Sequence, residues 1–287
     1  MQKIENKRCL AQCAQLSTLF LLLISSAASA SDHLPTQLTL ELGFDELGNQ
    51  SQALYTDSVL PHKLRLSLAA SQQKNSNSNA KQYAINLGSD PFAPLHLSIG
   101  YDHWQSGAGF EINSQNLLIG INTEQWYIAL SPTQREMTME VRTRQRSRRT
   151  ISFSATGLTA SLRYFTPRGW QMGLRYTEYR YTENLTQLDP VRSPRVVRLF
   201  TPHVLSQAQG LESRHGYLDV GFPLKTGYMA LTLGQSQSAV DGRRTHIAMI
   251  DHYIPLTEKW EMGVGFGQQR FAGDPITFAN VALTYEW

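Results

Sequence analysis

The feature that most constrains this fold is an alternation of apolar and polar residues that recurs from residue 38 to residue 287. Side chains of an extended strand point alternately to its two faces, so each such row makes one face apolar and the other polar. No competing helical stretch interrupts the pattern, which therefore predicts an all-β protein. The apolar rows begin at Leu38, Leu64, Tyr83, Leu95, Met137, Leu158, Trp170, Leu218, Met229, Trp260 and Ala279.

The last row carries a second signal. Val281, Leu283, Tyr285 and Trp287 share one face, and Tyr and Trp favour the interface between lipid and water. Here the chain resembles the Gram-negative outer-membrane β-barrel proteins, whose C-terminal strand has alternating apolar residues and a terminal aromatic residue, usually Phe. The resemblance implies a location in the cell outer membrane, with its lipid and lipopolysaccharide as partners. It also implies that these four residues are the C-terminal assembly signal for the barrel assembly machinery.

The first thirty residues have the pattern of a secretory signal peptide. Three basic residues precede an apolar run over 16–24 that is too short to span a bilayer, and Ala28 and Ala30 frame a cleavage pattern. We predict a cleaved signal peptide over 1–30 and one barrel domain over 31–287, with a retained anchor helix as the alternative. Cys9 and Cys13 would leave with the signal, so the mature chain would have no thiol and no disulfide.

The composition gives little further information about fold or function. Loss of three basic residues and one acidic residue with the signal lowers the formal charge from +3 to +1, which gives no reason to expect a nucleic-acid partner. The mean hydropathy of −0.32 suits a soluble protein and a membrane barrel equally, because half of each barrel strand faces a polar lumen. A soluble β-sandwich or solenoid in the periplasm is therefore the alternative fold.

Prolines and short polar turns divide the rows into strands. A barrel strand needs about 9–11 residues to cross a bilayer, and we predict a transmembrane antiparallel up-and-down β-barrel of about 14 strands, within roughly 12–16. Residues from about 182 to 212 are predicted to form a long extracellular loop that folds into the mouth of the barrel. Trp170, Trp260 and Trp287 fall on one rim in this topology.

Two stretches leave the strand count open. Between residues 107 and 141 the rows are shorter than a crossing, so either turns lie at membrane depth on the lumen side or two rows join into one bulged strand. A bulge or a tight turn at Thr156 and Gly157 would change the count again.

The apolar rows are predicted to face lipid, and the residues between them are predicted to face a wet lumen. They carry both signs of charge, which fits either cross-strand ion pairs that keep the lumen solvated or a pore lining with little charge selectivity. Gly263, Gly265 and Gly267 share one inner face, where they either relieve crowding at a sharp curve or leave space for a loop or plug. The candidate lumen-lining residues are Glu41, Lys63, Arg65, Asp102, Glu140, Arg142, Arg163, Arg175, Asp219 and Glu261.

An arginine-rich run follows the row at Met137. Alternation projects several of its guanidinium groups to one side, where Arg144, Arg146, Arg148 and Arg149 are candidate contacts for lipopolysaccharide phosphates or phospholipid headgroups. A solvated hairpin with interfacial arginines is the alternative.

No pattern predicts catalysis. The acid–histidine pairs at residues 102–103 and 251–252 point to opposite faces of a strand, and no spacing links other inward groups such as His215 and Asp219. We therefore assign no catalytic, cofactor-binding or metal-binding residue and expect no enzyme. The sequence favours a passive pore or transport role, or a structural role at the cell surface. A lipid- or lipopolysaccharide-modifying enzyme and an export-system component are the alternatives; the size and last strand also resemble the translocator barrel of autotransporters, here without a passenger.

Overall fold

The computed structural model describes residues 36–74, 79–107, 109–142, 148–185, 211–271 and 275–287. The predicted signal peptide and most of the predicted long loop lie outside these residues. One structural unit runs from Thr36 to Trp287. Within the described residues, no helix is both long enough and apolar enough to cross a membrane.

The described chain forms a closed barrel of 14 strands, which confirms the predicted fold class and strand number. Each strand pairs antiparallel with its neighbours in the sequence, and a single 3₁₀ turn (Pro61–Lys63) joins the second strand to the third. The strands are β1 (Thr36–Asp45), β2 (Gln50–Leu60), β3 (Leu64–Lys74), β4 (Asn79–Gly88), β5 (Leu95–Ser106), β6 (Phe110–Asn122), β7 (Trp126–Arg142), β8 (Arg148–Phe165), β9 (Gln171–Tyr181), β10 (Glu212–Leu224), β11 (Gly227–Ser238), β12 (Arg244–Pro255), β13 (Trp260–Phe271) and β14 (Pro275–Glu286).

Pairing of β1 with β14 closes the cylinder. The register runs from Gln37 opposite Glu286 to Asp45 opposite Phe278, so no unpaired sheet edge is left at this seam. We call the end of the barrel that carries this Gln37–Glu286 pair the base, and the opposite end, which carries the connection from β9 to β10, the mouth. By the rule that longer connections lie outside the cell, the mouth faces outward.

An apolar belt covers the outside of the cylinder. Large side chains such as Ile99 and Phe266 are 62% and 57% exposed, and they alternate along their strands with residues that face the lumen. Exposed apolar surface this extensive is stable in lipid and not in water. The cylinder and its belt confirm the prediction of an outer-membrane β-barrel.

Aromatic pairs line the base. Their ring centroids lie 4.5 to 5.3 Å apart, within the range in which aromatic pairs are favourable. Trp170, Trp260 and Trp287 all lie at this rim, as the topology predicted, and they form the girdle expected where a barrel meets the headgroup region. The pairs are Trp126–Tyr164, Trp170–Phe222, Trp260–Tyr285 and Tyr285–Trp287.

The ambiguous stretches of the sequence form long unbroken strands. The pairs of β6 with β7 keep one register on both sides of Pro132, with no bulge, and Pro132 lies within β7 although the prolines were expected between strands. Because Pro132 has no N–H to donate, the paired residues stop at Asn116 and resume at Ile119. Thr156 and Gly157 likewise lie inside β8, with no turn.

The prediction that the row starting at Met137 faces lipid is wrong. Met137 and Met139 alternate with exposed outer residues and are 0% and 1% exposed inside the mouth. They belong to an apolar cluster on the lumen side, which also contains the two described ends of the β9–β10 connection, Leu185 and Leu211. We call this group the mouth cluster; its buried members are Phe110, Met137, Met139, Phe153, Ala155, Leu185, Leu211 and Val240.

Candidate functional site

The structure places most of the predicted lumen residues on the inner face of the wall. Two of them differ from the prediction, and one falls on a side chain that the structure does not describe, Arg142. Lys63 lies exposed in the 3₁₀ turn at the base, because β2 ends three residues before it. Glu140 lies exposed on the outer face, because the even-numbered residues of β7 face outward along the whole strand from Trp126. The inward residues are Glu41, Arg65, Asp102, Arg163, Arg175, Asp219 and Glu261.

A group of basic residues and a group of acidic residues lie on opposite sides of the lumen. Arg163 on β8 and Arg175 on β9 lie half-way around the 14-strand ring from Glu41 on β1. Asp251 on β12 and Glu261 on β13 lie beside Glu41 on the acidic side, as their inward registers show. We call Arg163 and Arg175 the basic wall and the three acids the acidic wall; Asp219 lies beside the first and Arg65 beside the second, so neither side has one sign alone. The two walls lie on opposite sides of the lumen, an arrangement that the sequence did not reveal because it depends on how the ring closes.

The basic wall borders a cavity of about 620 Å³. Its surface combines guanidinium, hydroxyl and amide groups, so it can hold water and polar solutes. A second cavity, of about 310 Å³, lies against β1 to β4. The two cavities share Ala84 and Asn86 in their walls. Polar residues lining the first cavity include Asp102, Asn116, Arg135, Arg163, Arg175 and Asp219.

Arg135 is a lumen residue that sequence reasoning missed. Its guanidinium carbon lies 3.9 Å from the centroid of the Tyr179 ring, a cation–π contact. Its Nε is buried and has no hydrogen-bond partner among the described residues. The Tyr179 ring lies flat along the wall because Gly157 faces it, and a Cβ at Gly157 would come 2.5 Å from the ring. Alternation counted from Trp126 would have placed Arg135 inside. The incorrect prediction that Met137 and Met139 face lipid placed Arg135 outside instead.

A β-bulge brings Glu212 beside His215. The register of β10 against β11 shifts between Glu212 and Arg214, so two residues that strict alternation would separate share the lumen side. The His215 Nδ1 lies 2.5 Å from Oε2 of Glu212. The sequence has no signature for this bulge, which is why the pair was not predicted.

The inner glycines make room for neighbouring side chains. Gly263, Gly265 and Gly267 are buried on the inner face of β13. A Cβ at Gly265 would collide with the side chains of Asn280 and Asp251, which extend over it from β14 and β12. The glycines therefore relieve crowding by side chains of the two adjacent strands; that the wall curves sharply here stays a prediction.

The acid–histidine pairs lie as predicted on opposite faces. Asp102 lines the lumen cavity and accepts a hydrogen bond of 2.6 Å from Gln82, whereas His103 lies outside, 2.7 Å from Oδ1 of Asn113. The described residues contain no group of three His, Cys, Asp or Glu side chains that could hold a metal ion. Of the proposed lipopolysaccharide contacts, Arg144 and Arg146 lie outside the described residues, as do the side chains of Arg148 and Arg149.

Comparison with known proteins adds similarity of fold only. No family model matches the chain, and no curated protein matches it. Among solved structures, the KdgM porin in complex with disordered oligogalacturonate is 10% identical over 88% of this chain and 99% of that chain, with a TM-score of 0.42. OmpT, an outer membrane protein of Vibrio cholerae, is 8% identical over 89% and 98%, with a TM-score of 0.49. The anion-selective porin from Comamonas acidovorans is 6% identical over 90% and 99%, with a TM-score of 0.47.

Proposed function

We propose that this barrel is a passive pore for small polar solutes and ions across the outer membrane. The observation that carries the proposal is the lumen itself, in which a basic wall and an acidic wall face each other beside a polar cavity of about 620 Å³. Charged groups inside a cylinder are stable only where water solvates them or partners neutralise them. The proposal assigns no catalytic step to the lumen residues.

The two lumen cavities define the path of the proposed pore through the barrel. The larger one reaches from His215 near the mouth to Tyr127, one residue into β7 at the base. The smaller one continues to Gln37 at the base, and the two share wall residues on β4. The mouth cluster narrows the mouth on the side of β5 to β11.

Most acidic lumen side chains already have a partner, which favours weak over strong ion selection. Asn280 donates a hydrogen bond of 3.0 Å to Glu41. Asp57 lies 2.6 Å from Nε of Arg65 in an ion pair. A pore with charges of both signs, in which Asp57 is neutralised by Arg65, lacks the ring of one sign that selects ions strongly.

The experiment is single-channel recording of the refolded protein in planar lipid bilayers. The proposal predicts discrete conductance steps with a small reversal potential under a salt gradient. Arg163→Gln together with Arg175→Gln shifts the reversal potential toward cation preference, and Glu41→Gln together with Glu261→Gln shifts it toward anion preference. These pairs are matched controls, since each removes two charges from one wall. A folded barrel with no conductance would overturn the proposal and leave the structural surface role.

A further inference from the structure

We propose that the outer surface of β10 to β12 binds the phosphate group of an outer-leaflet lipid, with one acyl chain of that lipid in the groove below it. Three exposed basic residues carry the proposal, and we call them the outer basic patch: Arg214, Arg244 and Arg270. None of them was predicted as a lipid contact. The site lies on the outside of the wall and is independent of the proposed pore.

The register of β10 to β13 brings the residues of the outer basic patch close together. Arg214 on β10 is opposite Gln237 on β11, and Gln237 is opposite Arg244 on β12, so the three side chains form one row on the outer face. Arg270 on β13 lies one row nearer the base, opposite His246. Arg214 and Arg244 flank Gln237 and lie two strands apart, which is about 9–10 Å. Both have long side chains, so one phosphate above Gln237 can be contacted by the two guanidinium groups from opposite sides.

Hydrogen bonds orient the first guanidinium. Arg214 donates from Nε to Oε1 of Gln237 at 2.6 Å, and Gln237 is itself fixed by a bond of 3.0 Å from Nε2 to the Gly242 carbonyl. The terminal nitrogens of Arg214 stay available to donate to a phosphate, for which the planar guanidinium is the best-matched side chain. In the same row Glu178 lies directly opposite Arg214, and its carboxylate lies 3.9 Å from Nε of Arg180.

A groove leads from the patch into the apolar belt. It has a volume of about 510 Å³, and both Arg214 and Arg244 line it. Gly216 in the next row leaves a gap between Tyr176 and Gln235. The row after that is apolar, with Leu218 and its neighbours Leu174 and Leu233 also in the groove wall. A cationic rim above an apolar floor at the lipid-facing surface matches a phosphorylated lipid headgroup above its acyl chain.

The test uses the refolded mature protein in detergent micelles, with bisphosphorylated lipid A as the probe and binding measured by native mass spectrometry. Arg214→Gln together with Arg244→Gln is expected to weaken binding about tenfold or more, because it removes two charge-assisted contacts. The control is Lys74→Gln together with Lys81→Gln, which removes the same charge from the exposed outer residues of β3 and β4 near the mouth. That control is expected to bind within about twofold of the unmodified protein.

A second variant tests the groove without changing charge. A Cβ at Gly216 would make only ordinary contacts of 3.6 Å, so the wall accepts a side chain there. Gly216→Leu places an apolar side chain in the groove and is expected to weaken lipid A binding. Heat-modifiable electrophoretic mobility verifies that each variant is folded. Equal losses in the two double variants, equal binding of dephosphorylated lipid A, or full displacement of lipid A by inorganic phosphate alone would each overturn the proposal.

Discussion

Leu231 and Thr232 are adjacent on β11 and face opposite sides of the wall, so an arginine at each position tests which side meets lipid. Leu231 lies within the apolar belt, between Val220 and Ile250 on the neighbouring strands, and is 38% exposed. Thr232 faces the lumen and donates a hydrogen bond of 2.9 Å to Asp219. The two substitutions add the same side chain one residue apart, and each therefore controls for the other.

The expected magnitudes follow from the two environments. An arginine on the lipid face near the bilayer midplane costs about 2–4 kcal/mol. Leu231→Arg also loses the transfer of leucine into lipid, which at this exposure adds about 1 kcal/mol. We therefore expect Leu231→Arg to lower the free energy of unfolding by about 3–5 kcal/mol. Thr232→Arg puts a cation beside Asp219 in a wet lumen, and we expect a change within about 1 kcal/mol.

The free energy of unfolding is measured by guanidinium titration of the protein folded into phosphocholine bilayers. Tryptophan fluorescence reports insertion, because four tryptophans lie at the base: Trp126, Trp170, Trp260 and Trp287. Neither substitution removes or adds a tryptophan, so the signal can be compared between the two variants. Equal losses for the two variants, or a greater loss for Thr232→Arg, would refute the assignment of the lipid-facing and lumen-facing sides.

Three smaller predictions concern the lumen side and use the same titration. Phe110→Ala should cost about 3–5 kcal/mol, because the ring is buried in the mouth cluster; a loss under about 1 kcal/mol would contradict that packing. Asp57→Asn should cost at most about 1 kcal/mol, because its ion pair with Arg65 is about one-third exposed; a loss of several kcal/mol would show that the pair is desolvated. Gly157→Ala should cost about 1–3 kcal/mol, because its Cβ would displace the Tyr179 ring; an unchanged stability would mean that the ring can move freely.

The alternation predicted the belt and the strand number, because lipid imposes one rule on every strand that crosses it. This rule alone predicts the orientation of rows such as those that begin at Leu95 and Trp170, since apolar side chains on a barrel wall within the bilayer face outward. The same rule explains why the lumen positions of Asp102, Arg163 and Arg175 followed directly from their neighbours in the sequence.

The rule applies only to residues within the bilayer, and the incorrect predictions concern residues beyond its edge. In β6 the apolar residues are inward at Phe110 and Ile112 but outward at Leu117 and beyond, with no bulge between them. Beyond the lipid the outer face meets water, and apolar side chains are buried only by packing inside the mouth. The change from even to odd positions within one strand was visible in the sequence, but it suggested either a turn between two strands or a bulge within one, and the strand has neither.

The inner charge pattern and the outer basic patch depend on information that no single strand contains. Glu41 faces Arg163 across the lumen because the ring closes after 14 strands, and a different strand number would have changed which walls face each other. Arg214 and Arg244 meet because the registers of three strands coincide at Gln237. The Glu212–His215 pair depends in addition on one bulge. Local alternation therefore determines which face a side chain occupies, whereas closure and register determine its neighbours, and the proposed pore and lipid site both depend on neighbours.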